Sequence, residues 1–258
     1  MPAMDIILPV HGAAGLAVIF VVFLVAGTVK GVVGLGLPTV AVGLLGLVMA
    51  PREAAALLVI PSLVTNLWQL AAGPAIGPLW RRLWPMLAGI GAGTLLGGAL
   101  LPPAGSDGAV AALGGALVLY AAGGLAAFRL EVAPGAERWA GPVVGAVTGA
   151  VAAATGVFVV PAVPYLGGLG LGRDALVQAL ALAFTASTCA LAGALLVAGE
   201  LPLRAAGTSL YALAPALLGM AFGQAIRGRI RPAPFRRCFF LGLLALGAHL
   251  MLRPFVGG

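Results

Sequence analysis

The chain has 258 residues, of which 62% are hydrophobic and only 8% are charged, and its formal net charge is +7. Soluble domains carry about a quarter charged residues, so this composition excludes a soluble protein and indicates an all-α polytopic protein of the lipid bilayer. The arginines cluster at the ends of apolar runs, which is typical of the positive-inside bias of membrane proteins, so we expect no nucleic-acid partner. We predict a single transmembrane domain over residues 1–258.

Apolar segments joined by short loops fill the chain. The ten segments lie at 11–30, 36–50, 54–73, 83–101, 108–128, 141–156, 157–171, 174–198, 205–226 and 238–254. A full span needs about 20 residues, so segments two and seven are short, and they could be half-membrane or re-entrant pieces. Counting all ten as crossings gives the stronger charge asymmetry, which we prefer, with both termini outside. The cytoplasmic side would then hold Lys30, Arg81, Arg82, Arg129, Arg138, Arg173 and the five arginines of 227–237, against Arg52, Arg204 and Arg253 opposite.

The first apolar segment ends in a glycine-rich break. Gly34 and Gly36 precede Pro38 and Thr39, and the chain's only lysine, Lys30, lies one turn upstream. Non-helical backbone at membrane depth is tolerated only where protein buries it or where it lines a polar cavity. Pro38 suits the first turn of a new helix, whose free N–H groups and positive dipole end would favour an anion in that cavity. The alternative explanation for the glycines is close helix packing.

A second break lies about 120 residues later, where Thr155 and Gly156 precede Pro161. Interruptions in corresponding positions of two halves indicate the binding site of a transporter. Lys30 has two interpretations beside this site. It could face the cavity and balance an anion, or its side chain could extend to the cytoplasmic interface.

Motifs recur in the same order in both halves of the chain. The matches are 51–54 with 172–175 at an offset of 121, Gly27-x-x-x-Gly31 with Gly145-x-x-x-Gly149, and Gly93-x-x-x-Gly97 with Gly219-x-x-x-Gly223. Five segments per half is an odd number, so the halves would insert in opposite orientations, as inverted repeats do. We therefore predict one repeat over 11–128 and a second over 141–254.

Neutral polar side chains occupy equivalent places in the two halves. They are Ser62, Thr65, Asn66 and Gln69 on segment three, and Thr185, Ser187, Thr188 and Cys189 on segment eight. Asn66, Ser187 and Thr188 could bind an oxyanion without adding charge, or they could hydrogen-bond between helices for about 0.6–2 kcal/mol each. For Gln69 and Thr185 we favour the helix contact.

The acids and the missing motifs narrow the function. All seven acids lie at segment ends or in loops, so no mid-membrane carboxylate is available to coordinate Na⁺ or relay protons. The sequence has no His-Glu-x-x-His pair, Gly-x-Ser-x-Gly elbow or Asp-rich metal cluster, so we expect neither an enzyme nor a cofactor or metal. A noncatalytic membrane subunit of a larger complex is an alternative, although such a subunit would not need two matched breaks.

With these residues together, the chain resembles the TauE/SafE sulfite exporter family, also called the toluene sulfonate uptake permease family. The resemblance is carried by the motif Gly31-Val-Val-Gly-Leu-Gly-Leu-Pro38, by residues 51–54, by residues 61–69 and by the two-repeat layout. The second half departs from the family, because residues 154–161 stand where many members have a glycine-rich run.

The resemblance implies a multi-pass transporter of a bacterial inner membrane that exports, or in some members takes up, small sulfur-containing anions such as sulfite, thiosulfate or organosulfonates. We interpret the chain as an alternating-access carrier that binds the anion at helix N-termini near the midplane, with a passive anion channel as the alternative. A homo-oligomer is compatible with this interpretation. The expected substrate-binding residues are Lys30, Gly34, Gly36, Pro38, Thr39, Asn66, Thr155, Gly156, Ser187 and Thr188.

Overall fold

The protein is all-α in the part of the chain that the computed structural model describes, which comprises residues 12–73, 75–100, 106–126, 131–133, 135–199 and 203–256. The described helices are α1 (Ala13–Val33), α2 (Leu37–Leu45), α3 (Pro51–Ala71), α4 (Ile76–Leu100), α5 (Asp107–Leu125), α6 (Glu137–Thr155), α7 (Ala162–Gly167), α8 (Arg173–Val197), α9 (Leu203–Ile226) and α10 (Pro232–Val256). Six of these are long and apolar enough to cross a membrane, namely α1, α3, α5, α8, α9 and α10. The predicted polytopic all-α fold is confirmed.

Each predicted apolar segment contains one helix, but two of the helices are much shorter than their segments. Helix α2 has 9 residues and α7 has 6. At 1.5 Å per residue these helices reach about 14 and 9 Å, well short of a hydrocarbon core of about 30 Å. The helical parts of these two segments are therefore too short to span the hydrocarbon core by themselves.

Contacts at one end of the bundle fix the direction of several helices. Arg82 near the start of α4 pairs with Glu137 at the start of α6, and it also donates to the carbonyl of Leu169 just after α7. Gln178 near the start of α8 accepts from the N–H of Ala75, which lies between α3 and α4. We call this the arginine-rich end, because Arg81, Arg138, Arg173 and the loop 227–231 lie at the same helix ends. Arg129 lies outside the described residues.

The other helix termini lie at the opposite end of the bundle. Arg253 near the end of α10 donates to the carbonyl of Leu47 just after α2, and Gly114 in α5 packs against Met251 of α10. Successive helices therefore alternate in direction along the chain. The segments that contain α2 and α7 also traverse the bundle, because each enters from one end and leaves toward the other.

Glycines set the closest helix pairs, α1 with α9 and α4 with α6. A Cβ at Gly27 or Gly31 of α1 would overlap backbone of α9, and a Cβ at Gly219 or Gly223 of α9 would overlap backbone of α1. The equivalent set in the second pair is Gly145 and Gly149 of α6 against Gly89 and Gly93 of α4. Close packing is thus one role of these glycines, because small residues allow backbones to approach.

The contacts correct one detail of the motif alignment. Gly89 faces the carbonyl of Pro142, and Gly219 faces the carbonyl of Leu24. The counterparts of Gly219 and Gly223 are consequently Gly89 and Gly93, so the predicted match to Gly93 and Gly97 is wrong by one turn. Helix α4 carries glycines at every fourth position from 89 to 97, and such a series matches equally well after a slip of one turn.

The interior of the bundle is formed by α2 with the middle of α3 and α8. All of Leu37 to Gly43 in α2 is buried, as is Gln178 to Phe184 in α8. Large apolar side chains on the outer faces of α4 and α9, such as Leu95 and Leu218, are exposed and suit contact with lipid. The polar groups of the site are therefore enclosed by helices.

Candidate functional site

Lys30 lies inside the bundle. Its side chain is 1% exposed, and its Nζ donates to Thr65 Oγ1 at 3.0 Å and to Asn66 Oδ1 on helix α3. Both acceptors are neutral, and no carboxylate in the described part of the chain pairs with Nζ. The interpretation in which Lys30 extends to the membrane interface is therefore wrong.

A line of hydrogen bonds continues from Lys30 across the middle of the bundle. Asn66 Nδ2 donates to Ser62 Oγ at 3.3 Å, and Ser62 Oγ shares a hydrogen bond with Thr188 Oγ1 of α8 at 3.2 Å. Thr188 also donates to the carbonyl of Phe184 at 2.7 Å. These polar residues of segment three thus face the interior of the bundle, and they join the first half of the chain to the second.

The first break has the backbone that its sequence predicts. Gly34 caps α1 with φ 88°, and Gly36 caps the start of α2 with φ 106°. Residues other than glycine rarely adopt these values. Pro38 stands in the first turn of α2, as expected. Gln69 Nε2 donates to the carbonyl of Gly34 at 2.9 Å, so Gln69 makes the helix contact that we favoured for it.

Three hydroxyls are buried and have no hydrogen-bond partner among the described residues. Thr39 is in the first turn of α2, Thr148 is in α6 and Ser187 is in α8, and each is 0% exposed. A buried polar group without a partner costs about 1–3 kcal/mol, so such groups call for an explanation such as an unseen ligand or water. Thr39 and Ser187 were expected at the site from sequence, whereas Thr148 was not singled out.

The second break uses its polar groups locally. Thr155 Oγ1 donates to the carbonyl of Val151 at 2.7 Å and accepts from the N–H of Val157 at 3.2 Å. Gly156 ends α6 with φ 70°, and residues 157–159 are buried without helical structure. The Val160–Pro161 peptide bond before α7 is cis. The role of Thr155 and Gly156 in substrate binding stays a prediction, since Thr155 is occupied in capping the helix.

Sequence reasoning missed the ion pair at the arginine-rich end. Arg82 Nε lies 2.8 Å from Glu137 Oε2, and Arg82 Nη2 lies 2.5 Å from Oε1. The hydrogen bond from Arg82 lowers the pKa of Glu137, and the same bond raises the pKa of Arg82. The two partners are 55 residues apart in the sequence, and neither belongs to a motif that predicts the contact.

Gln178 was missed as well. It is buried, and it donates through Nε2 to the carbonyl of Leu70 at 2.8 Å while its Oε1 accepts from Ala75. It therefore ties α8 to the turn between α3 and α4. Its polarity within an apolar helix face was the available signal. Within the described residues, no group of three or more His, Cys, Asp or Glu side chains is placed to hold a metal ion.

Comparison with known proteins identifies a family for the chain. No curated protein and no solved structure matches the chain. The model of the family described as Sulfite exporter TauE/SafE matches residues 19–250, a range that includes both breaks and the hydrogen-bonded line from Lys30 to Thr188. The chain belongs to the sulfite exporter TauE/SafE family.

Proposed function

We propose that this multi-pass membrane protein is a secondary carrier that exports a small sulfur-containing anion, such as sulfite or an organosulfonate, across a bacterial inner membrane. The observation that carries the proposal is the buried Lys30, whose described partners Thr65 and Asn66 are both neutral. A buried charge without an opposite charge is strongly destabilising. A bound anion would supply that opposite charge.

The N-terminus of α2 adds to the attraction for an anion. Helix α2 begins at Leu37, a few residues after Lys30, and its first turn carries the unpartnered hydroxyl of Thr39. The first turn of a helix has N–H groups without intrahelical partners and a partial positive charge. Short helices whose N-termini meet an anionic substrate at membrane depth are a recurrent feature of transporters.

The arrangement of helices supports alternating access between inverted repeats over 11–128 and 141–254. In this arrangement helices α1 to α5 correspond to α6 to α10. The pair α1 and α9 then corresponds to the pair α6 and α4, and the counterparts α3 and α8 pack against each other. Gly34 at the end of α1 contacts Gln69 near the end of α3, whereas Glu137 at the start of α6 contacts Arg82 near the start of α4. Because a turn joins α3 to α4, α1 and α6 run in opposite directions. Rocking of such repeats around a central site is a common carrier mechanism.

The test is flux into liposomes that contain the purified protein. We expect saturable sulfite transport with counterflow, and we expect Lys30→Met to reduce its initial rate at least about tenfold, which corresponds to about 1.4 kcal/mol. Arg173→Met is the matched control, because Arg173 is exposed at the arginine-rich end, and its flux should be unchanged.

Failure of every sulfur oxyanion in a broad panel to move would refute the proposal. Equal flux for the wild type and the Lys30 variant would remove Lys30 from the site. Single-channel currents without counterflow would favour the passive anion channel instead.

A further inference from the structure

The number of buried charges in the bundle bears on which anion the carrier accepts. We infer that the site selects singly charged sulfur oxyanions over doubly charged ones of the same shape, an inference that rests on the proposed function. Three observations support it: the single buried cation, the unpartnered neutral hydroxyls, and the difference between the two halves of the chain.

The first observation is the count of charges. Of the described residues, the buried polar set contains one charged side chain, Lys30, and the others are Thr, Ser, Asn and Gln. The described arginine side chains are all partly or fully exposed. One negative charge on a ligand would be neutralised by Lys30. A second negative charge would lie in the helix interior without a counter-charge, where electrostatic interactions are strong.

The second observation is the chemistry of the remaining donors. Thr39 and Ser187 have buried hydroxyls without partners among the described residues, and an O–H group can donate to a sulfonate oxygen without adding charge. Ser187 is next to Thr188, where the hydrogen-bonded line from Lys30 ends. A sulfonate has three oxygens and one negative charge, so it matches one cation surrounded by neutral donors.

The third observation is that the second half repeats the position of Lys30 without its charge. Gly145 and Gly149 pack on α4 as Gly27 and Gly31 pack on α9. That correspondence places Thr148 where α1 has Lys30, and the buried hydroxyl of Thr148 is again unpartnered. Only the first half of the chain therefore contributes a cation to the site, so the site can neutralise one negative charge on a ligand.

The experiment compares methanesulfonate with sulfate, which are both tetrahedral but differ by one charge. Their dissociation constants are measured by calorimetry on the purified protein in detergent, so that no membrane potential biases the dianion. We expect methanesulfonate to bind at least about tenfold more tightly than sulfate. Equal binding, or tighter binding of sulfate, would overturn the inference while leaving transport of sulfur anions intact. Absence of both binding and flux would overturn the proposed function together with the inference.

A pair of variants at position 148 tests the origin of the selectivity. Thr148→Lys adds a second cation and should shift the ratio of the two dissociation constants toward sulfate by about tenfold. Thr148→Val removes the hydroxyl without adding charge, so it should leave the ratio unchanged. A ratio that Thr148→Lys leaves at the wild-type value in a folded protein would contradict the charge-based origin. The wild-type ratio decides the inference by itself if Thr148→Lys does not fold.

Discussion

Lys30 is close enough to the end of α1 to reach a membrane interface, yet its ammonium group is bonded to α3. The sequence left the direction of the Lys30 side chain open, because a lone lysine beside a glycine break suits either environment. The direction of the Lys30 side chain depends on which face of α1 contacts α3. Apart from Thr28 and Lys30, helix α1 has apolar or small residues on all sides, so its sequence contains no pattern that identifies that face.

Asn66 offers the sharpest test at the scale of single residues. Its Oδ1 accepts from Lys30, and its Nδ2 donates to Ser62. Asn66→Leu removes both bonds, so we expect sulfite flux in liposomes to fall about tenfold or more. Asn66→Asp should raise the melting temperature, because it gives Lys30 a carboxylate partner, but the same carboxylate should compete with the anion and reduce its binding.

These two variants separate a binding role from a structural one. If Asn66 only joins helices, Asn66→Asp would keep normal anion affinity. The neighbouring Leu67 is the control position, since its side chain is 48% exposed, and Leu67→Ala should leave flux at the wild-type rate. Unchanged flux in folded Asn66→Leu would remove Asn66 from the site.

At the scale of elements, the positions of the breaks could be predicted but the lengths of the short helices could not. Gly34, Gly36 and Gly156 adopt the positive φ values that only glycine adopts easily. The apolar runs, however, continue past the end of α2 and begin well before α7. Buried non-helical backbone and buried helix have the same apolar composition, so hydrophobicity cannot mark the boundary between them.

The glycine-mediated pairing of α4 with α6 predicts a contrast between two positions on one helix. A Cβ at Gly93 would overlap the backbone of Ala146, whereas nothing lies within 4 Å of a Cβ at Gly91. Overpacking typically costs about 1–3 kcal/mol, so Gly93→Val should lower the melting temperature clearly in detergent, and Gly91→Val should do so much less. Equal decreases in melting temperature for the two variants would mean that helix propensity, and not the α4–α6 contact, determines the loss of stability.

At the scale of the whole molecule, the repeat predicted from motif order stays a prediction, and the glycine contacts show that the motif alignment missed the register on α4 by one turn. Helix pairing between α1 and α9 depends on which glycines meet, and regularly spaced glycines permit a slip of one turn. Polar residues at equivalent places on α3 and α8 were predicted, and a hydrogen bond between Ser62 and Thr188 joins the two helices. The ion pair of Arg82 with Glu137 was not predicted, because it depends on the assembled arrangement of α4 and α6.

The alternating directions of the helices predict which loops face the cytoplasm. Both natural cysteines, Cys189 and Cys238, are exposed, so they are first replaced by alanine and serine. Single cysteines are then placed at Ala72, Ala198 and Gly228, which are all exposed at helix ends. The positive-inside rule places the arginine-rich end in the cytoplasm.

In intact cells, a membrane-impermeant thiol reagent should then label Ala198→Cys and spare Ala72→Cys and Gly228→Cys, and all three should be labelled after the cells are opened. Ala72 and Gly228 lie on the same side only if the segment with α7 crosses the membrane, because the segments with α4 to α9 separate the two positions. If that segment were re-entrant, Ala72→Cys would be labelled together with Ala198→Cys while Gly228→Cys stayed protected. That result would contradict ten crossings, and with them the opposite insertion of two five-segment repeats.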